Sequence, residues 1–435
     1  MKKIASIIVL TIISVIFIFY RFVDIPKYLS FDEVEFTKLA LSLQNKPYTP
    51  YSTLATGHST LYFYILLMSL KLFGTTTFAL RLPAAIFGVL SIIIFYLIAR
   101  LSFRAIARNL VLFPFLLTFI LLSSRWFLNF ARFSFEATFL LFLELMSIYF
   151  LLKADAKMVN FFATLDPANA GRLQRSQKNL TSSVSLSFYL IISGLFAGLA
   201  FISYTPGRIF FLLPLLFLTL KSLRTLKLYE LVYFLIPFII IITPLTLYLL
   251  TNKETRVDQQ FFLRNNEMTV NEKVGGLWSN ISSTTLMLFT KGDMNGRHNY
   301  PGKPALNPIL GILFIIGLTI AIKNWKNPIN SFSTFYLLLS ILPSLLTYPW
   351  ENPNMLRTYT VLPSIVFFIG LAIYEIFKIT KQKYLWLIII IITLSSVYEL
   401  RTYFKYQSKV FYDSFEIKWP LDKAIKLKNP YEKVL

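Results

Sequence analysis

The chain reads as an all-α polytopic membrane protein. Three features of its 435 residues say so: 56% hydrophobic side chains, a mean hydropathy of +0.62, and apolar runs that recur along most of its length. A soluble domain needs a polar exterior over most of its surface, which this composition does not supply. Apolar runs of about 20 residues cross a hydrocarbon layer roughly 30 Å thick as helices, which satisfy their own backbone hydrogen bonds there. No barrel-like alternation competes with helices. Cysteine is absent, so disulfides and thiolate metal sites are excluded. The formal net charge of +22 follows mostly from topology and does not point to nucleic acid.

Met1-Lys2-Lys3 precedes the apolar run 4–20, and the following Arg21-Phe22-Val23-Asp24 offers no small-residue cleavage pattern, so this run is read as a retained first span. Further spans are expected at 80–102, 110–123, 135–152, 184–203, 209–220, 229–250, 308–322, 333–348, 360–377 and 384–397. That makes about eleven crossings, the short ones tilted or longer than drawn. The connecting cations test the order independently. Lys2 and Lys3, Arg100 with Arg104 and Arg108, Lys153 with Lys157, and Arg172 with Arg175 and Lys178 fall on one side. So do Lys221 with Arg224 and Lys227, Lys323 with Lys326, and Lys378 with Lys381 and Lys383. By the positive-inside rule the N-terminus is cytoplasmic, in an integral multi-pass plasma-membrane protein.

Residues 1–400 form one membrane domain without an internal repeat, and an odd span count leaves the tail 401–435 on the outer side, despite its Lys423, Lys426 and Lys428. Two outer segments are long, 24–79 and 251–307. Stretches 31–43 and 61–73 read as helices lying at the membrane surface, and 269–289 as another. The inner stretch 154–183, with Asp166-Pro167 and many Gln, Ser and Asn residues, reads as a solvated connection.

Ser30-Phe31-Asp32-Glu33-Val34-Glu35 places three acids directly after the first span, in a chain with only 21. Ser30 and Glu33 have the spacing of a helix capping box, and Glu35 can pair with Lys38 on the same helical face. Asp32 is left without a structural explanation. Arg81, Arg125, Arg132, Glu136, Arg208 and Arg357 also fall at the outer surface. Each alone reads as an interfacial residue snorkelling to headgroups. Together they offer guanidinium groups for a lipid phosphate and carboxylates able to accept a hydroxyl proton.

These residues carry a family resemblance. Asp32-Glu33, then Gly57-His58-Ser59-Thr60-Leu61-Tyr62, Leu72-Phe73-Gly74 and Leu80-Arg81-Leu82-Pro83-Ala84-Ala85-Ile86-Phe87-Gly88 resemble the polyprenyl-phosphate-sugar-dependent glycosyltransferases of the protein O-mannosyltransferase and aminoarabinose-transferase type. Arg132-Phe133-Ser134-Phe135-Glu136, Gly194 to Ala200, and Asn354-Met355-Leu356-Arg357 with Leu362-Pro363 continue it. The resemblance implies a GT-C-type bundle whose catalytic domain is 1–400. It implies that Asp32 is the catalytic base or acceptor-binding carboxylate, that Glu33 supports it, and that Glu136 is the second outer-loop acid. Arg81, Arg132 and Arg357, with His58, lie in the resembling strings and are candidate substrate-binding residues, and Arg208 joins them as an outer-face cation. The chain departs from the family's frequent His-Pro-Pro at His58-Ser59-Thr60.

The expected reaction transfers a sugar, a mannose-like hexose or modified pentose, from a polyprenyl phosphate to a hydroxyl of a protein, lipid or glycan acceptor, with inversion, on the outer face. The donor is the lipid-linked sugar itself, and no other cofactor and no metal are expected. The turn-rich stretch 293–302 adds Arg297 and His298 as candidate substrate contacts. Asn280-Ile281-Ser282 has the form of a glycosylation sequon. Glu144, inside a span and far from Glu136, is expected to be structural or protonated. Two alternatives stay open: an oligosaccharide ligase or polymerase using a diphosphate-linked glycan, and a non-enzymatic lipid-linked-sugar flippase, which would show related halves and mid-membrane charges.

Overall fold

The computed structural model describes residues 2–103, 112–154, 183–225, 227–252, 254–380, 383–427 and 431. The connection expected after Ala154, and the cations Arg104, Arg108, Lys157, Arg172, Arg175, Lys178, Lys381 and Lys428, lie outside the described residues.

The helices follow the apolar pattern. Helix α1 (Lys2–Phe19) is followed by α2 (Phe31–Ser42), the two-residue strands β1 (Tyr51–Ser52) and β2 (His58–Ser59), α3 (Leu61–Phe73) and α4 (Thr77–Ser102). Next come α5 (Leu112–Ser123), α6 (Arg125–Ala131), α7 (Glu136–Ala154), α8 (Ser183–Phe201), α9 (Leu212–Thr225), α10 (Leu228–Thr251) and the short α11 (Thr255–Gln260). The chain continues through α12 (Val270–Phe289), α13 (Pro308–Lys323), α14 (Pro328–Leu345), α15 (Leu362–Ile379), α16 (Leu385–Arg401) and α17 (Ser408–Ser414). Among the described residues, 7 helical segments are long and apolar enough to cross a membrane, and α5 with α6 makes up to 8 if the bent pair is one span. The remaining three expected spans coincide with the shorter apolar helices of α1, α8 and α13. The protein is thus a multi-pass membrane protein, with apolar side chains of α1, α10 and α16 turned outward as a lipid-facing surface requires.

Lipid provides little hydrophobic drive between helices, so close backbone approach takes over. Gly194 of α8 sits where an added Cβ would lie 2.0 Å from the Phe234 carbonyl oxygen of α10, and Gly317 of α13 where it would lie 1.7 Å from that of Phe368 in α15. A side chain at either position would force the pair apart.

Two departures from a simple bundle shape one end of it. Helices α5 and α6 meet at 65°, and the break re-aims Arg125, Asn129 and Arg132 into the protein. Beyond α16 the chain continues through a π-helical turn, Thr402–Gln407, into α17. Residue Ile417 then pairs with Leu29 through both backbone hydrogen bonds, 3.1 and 3.0 Å, with Phe415 and Ile417 fully buried. The tail is therefore packed at the same end of the bundle as Asp32, against the segment that precedes α2.

Candidate functional site

Helix α2 starts as its sequence dictates. Ser30 Oγ accepts from the Glu33 amide at 3.2 Å, and Glu33 Oε2 accepts from the Ser30 amide at 3.1 Å, the reciprocal pair of a capping box. The same carboxylate receives Arg81, whose Nε donates to Oε1 at 2.8 Å and whose Nη2 donates to Oε2 at 3.0 Å. The Ser134 amide adds a contact at 3.3 Å, and Arg81 spends its remaining donors on the carbonyls of Pro26 and Tyr28. Both side chains have 0% exposure. Glu33, expected to support Asp32, and Arg81, expected at a substrate-binding position, thus complete each other inside the fold.

Arg132, also expected among the substrate contacts, is engaged in a similar way. It is fully buried and donates to the carbonyls of Phe17, Ile18, Tyr20, Arg21 and Ile25, the unsatisfied C-terminal end of α1 and the turn after it. Arg125, likewise buried, binds Glu399, Asn299 and the Pro304 carbonyl. The acid at 35 pairs with Lys38 at 2.9 Å as its spacing requires. The sequon asparagine, Asn280, is buried and donates to the carbonyls of Leu345 and Thr347, so its amide is committed to packing α12 on α14.

Asp32 contrasts with its neighbour. Successive residues on a helix turn by about 100°, so Asp32 points away from the Glu33 knot. Its side chain is 43% exposed and meets Arg297 Nη1 at 2.6 Å. Arg297 sits in the loop 293–303, which is organised by Asp293: its Oδ1 accepts from the Asn295 amide at 2.8 Å, and its Oδ2 accepts from the Met355 amide at 2.8 Å and approaches His298 Nδ1 at 3.0 Å. Asn129 on the re-aimed α6 holds the carbonyls of Arg297 and His298. His298 is thereby an internal strut of the loop, and Arg297 is the residue the loop delivers.

Beside these lies a half-open cavity lined by Tyr204, Thr205, Pro206, Ile209, Arg256, Gln260, Phe261, Pro343, Leu346, Thr347 and Arg357. Arg357 is delivered by a turn in which Asn354 Oδ1 accepts from the amides of Leu356 and Arg357 at 3.0 and 3.1 Å. One guanidinium nitrogen pairs with Glu351, and Nη1 is buried without an acceptor. Arg256 lies 5.5 Å over the Tyr204 ring. Burial pushes the Tyr204 hydroxyl up, nearby Arg256 and Arg357 pull it down, and Glu136 and Asp32 push it further up. Glu136 is buried with His58, Oε1 to Nδ1 at 2.6 Å, while its Oε2 has no hydrogen-bond partner. Arg208 pairs with Glu254 and reaches Ser59 Oγ at 3.4 Å, next to His58.

The structure thus brings together Asp32, Arg297, Glu136, His58, Arg208 and Arg357 from the expected set. Arg256 and Tyr204 were not in it. Lys253-Glu254-Thr255-Arg256 reads in sequence as ordinary solvated charge, and the only available signal was an arginine inside the long segment 251–307. Among the described residues no three carboxylate or imidazole groups converge on one point. Asp32, Glu33 and Glu35 instead face three different cations.

No protein-family model matches the chain, and no curated protein does. Solved structures do match, and the fold they share with it is the GT-C-type membrane bundle that the sequence resemblance implies. ArnT from Cupriavidus metallidurans superposes with a TM-score of 0.52 in its apo state and 0.50 bound to undecaprenyl phosphate, at 14% identity and over 85% of this chain. The Archaeoglobus fulgidus oligosaccharyltransferase tethered to an acceptor peptide superposes with a TM-score of 0.50, at 16% identity over 93% of this chain. The alignments take in 59% or less of those longer proteins, so the chain spans under two thirds of their length.

Proposed function

We propose that this chain is a glycosyltransferase that moves a sugar from a polyprenyl phosphate to an acceptor hydroxyl at the outer face of the plasma membrane, with inversion at the anomeric carbon. The observation that carries the reading is the cavity holding Arg256 and Arg357, with a buried Arg357 Nη1 that lacks an acceptor, next to the half-exposed carboxylate of Asp32. A buried guanidinium nitrogen without a partner is costly, and a phosphate oxygen would satisfy it. The shared fold with ArnT bound to undecaprenyl phosphate supports the same ligand class.

In this reaction the acceptor oxygen attacks the anomeric carbon while the bond from that carbon to the phosphate oxygen breaks, its electron pair leaving with the phosphate. The acceptor proton passes to Asp32, once Arg297 has been drawn off its carboxylate. Asp32 is a weak base toward an alcohol, so its effect comes from position and from a proton that moves late, when the alcohol has become acidic. Arg256 and Arg357 stabilise the charge growing on the leaving phosphate in a cavity that is partly desolvated.

The test supplies the purified chain and membrane extract with labelled polyprenyl-phosphate mannose, glucose and aminoarabinose, and compares Asp32→Asn and Arg357→Ala with the unmodified chain. Transfer from at least one donor, lost in both variants, supports the reading. Activity only with a diphosphate-linked glycan would favour the ligase. Donor translocation in vesicles without transfer would favour the flippase.

A further inference from the structure

We propose that His58 is a positioning residue that holds Arg256 in the anion cavity, as the central link of a buried chain running from Glu136 through His58 to Arg256. This rests on the reading of that cavity as the donor-phosphate site. Nδ1 of His58 lies 2.6 Å from Glu136 Oε1, and Arg256 Nη1 lies 2.8 Å from both ring nitrogens. A carboxylate at 2.6 Å commits Nδ1 as the donor, and Arg256 Nη1, equidistant from the two ring nitrogens, packs against the ring between them. The ring is wedged edge-on between Phe36 and Phe63, at 5.1 and 5.2 Å, so it cannot swing away from this pairing.

Burial lowers the pKa of His58, and Arg256 lowers it further, against Glu136 and the Ala55 carbonyl, which favour the charged ring. The far side of Arg256 rests on Tyr204. A long flexible side chain is thus clamped on two sides before any ligand arrives, and affinity gained this way comes from ordering already completed.

A second observation points to the same residue. His58 is delivered by the β1–β2 hairpin, in which Ser52 pairs with His58, and its turn holds Ala55, Thr56 and Gly57 at φ of 53°, 70° and 97°. Two consecutive non-glycine residues in the left-handed region are strained, and strain of this kind persists where the surroundings over-determine a conformation. Here the conformation fixes where the imidazole sits. The serine and threonine after it, in place of the two prolines frequent in the resembled family, leave Ser59 Oγ available to Arg208.

The experiment measures binding of undecaprenyl phosphate to the purified full chain in detergent, with undecaprenol as the control that lacks the phosphate. His58→Phe fills the same space without a ring nitrogen and should weaken undecaprenyl phosphate about tenfold, with undecaprenol unchanged. His58→Gln, which restores an acceptor, should recover affinity to within roughly threefold of the unmodified chain. In an Arg256→Ala background, His58→Phe should have no further effect, because the two act through one contact. If His58→Phe does not fold, His58→Asn, too short to reach Arg256, serves in its place. Unchanged phosphate affinity in the folded His58 variant, with Arg256→Ala weakened, overturns this inference alone. Unchanged affinity in both Arg256→Ala and Arg357→Ala overturns the phosphate-site reading beneath it.

Discussion

Two groups of charges at one end of the bundle use the same chemistry for opposite ends. Around Glu33, every oxygen and nearly every guanidinium nitrogen is engaged: Arg81 is bidentate, Ser30 and Ser134 supply amides, and backbone carbonyls take the remaining donors. Around Tyr204 the bonding is left incomplete, with Arg357 Nη1 and Glu136 Oε2 buried and unpartnered and Asp32 open to a third of its surface and more. A filled group resists substitution because removing one partner strands a buried charge. An unfilled group carries a stability cost that a ligand can offset. Unused bonding capacity alone does not separate the two roles, since the structural Arg132 also has a buried Nε without an acceptor; what sets the second group apart is that Arg357 lines a cavity and Asp32 is open.

The sharpest separation comes from adjacent residues. Asp32→Asn should lower transfer about 10²–10⁴-fold with the thermal midpoint unchanged, as loss of a positioned proton acceptor does. Glu33→Ala should act the other way round, destabilising the chain by about 3–5 kcal/mol because Arg81 is left charged and buried. Denaturation of the two variants beside transfer per folded molecule checks both. A stable, inactive Glu33→Ala would erase the contrast.

Arg357→Ala comes next. A hydrogen bond to a charged group contributes about 1.5–3 kcal/mol, so undecaprenyl phosphate affinity should fall roughly ten- to hundredfold by the same conversion. The parallel change Arg132→Ala should instead loosen the end of α1, where that side chain caps carbonyls of Phe17, Ile18 and Tyr20, and show itself in thermal stability.

Most of the architecture was legible because span length and apolar composition are local properties. Each of the eleven expected spans has its helix; the capping box at Ser30 and the pair Glu35 with Lys38 depend only on short spacing and formed as read. The site was harder. Glu33, Arg81 and Arg132 looked like ligands because a sequence shows that a charge exists and not whether it is already engaged by residues 48 or more positions away. Arg256 escaped notice for the complementary reason: its importance comes from Tyr204 and His58, remote in sequence, and not from its neighbours in the chain.

Acid should disturb the unfilled group first. His58 has its pKa held below the ordinary value of 6.5, so above that pH folded and unfolded states both carry it neutral and the full stability is present. As pH falls from there the unfolded state takes up a proton that the folded state refuses, and stability declines until the folded pKa is passed. Denaturation midpoints between pH 7 and 5 for the unmodified chain and His58→Gln measure this, and the difference between them should shrink toward acid. A constant difference would mean that the ring does not titrate differently on folding.

The smallest effect is expected at the third acid of the cluster. Glu35 and Lys38 form a partly exposed pair three residues apart, and such pairs contribute about 0.2–0.5 kcal/mol to a helix. Glu35→Ala should therefore leave transfer unchanged and move the melting midpoint barely at all. The measurement still discriminates, since Asp32, Glu33 and Glu35 could otherwise be one carboxylate unit. A loss in Glu35→Ala comparable to that of Asp32→Asn would require the three acids to act on a common ligand, although their side chains face Arg297, Arg81 and Lys38 separately. The division between filled and unfilled groups would then have to be redrawn, with α2 as a whole on the working side.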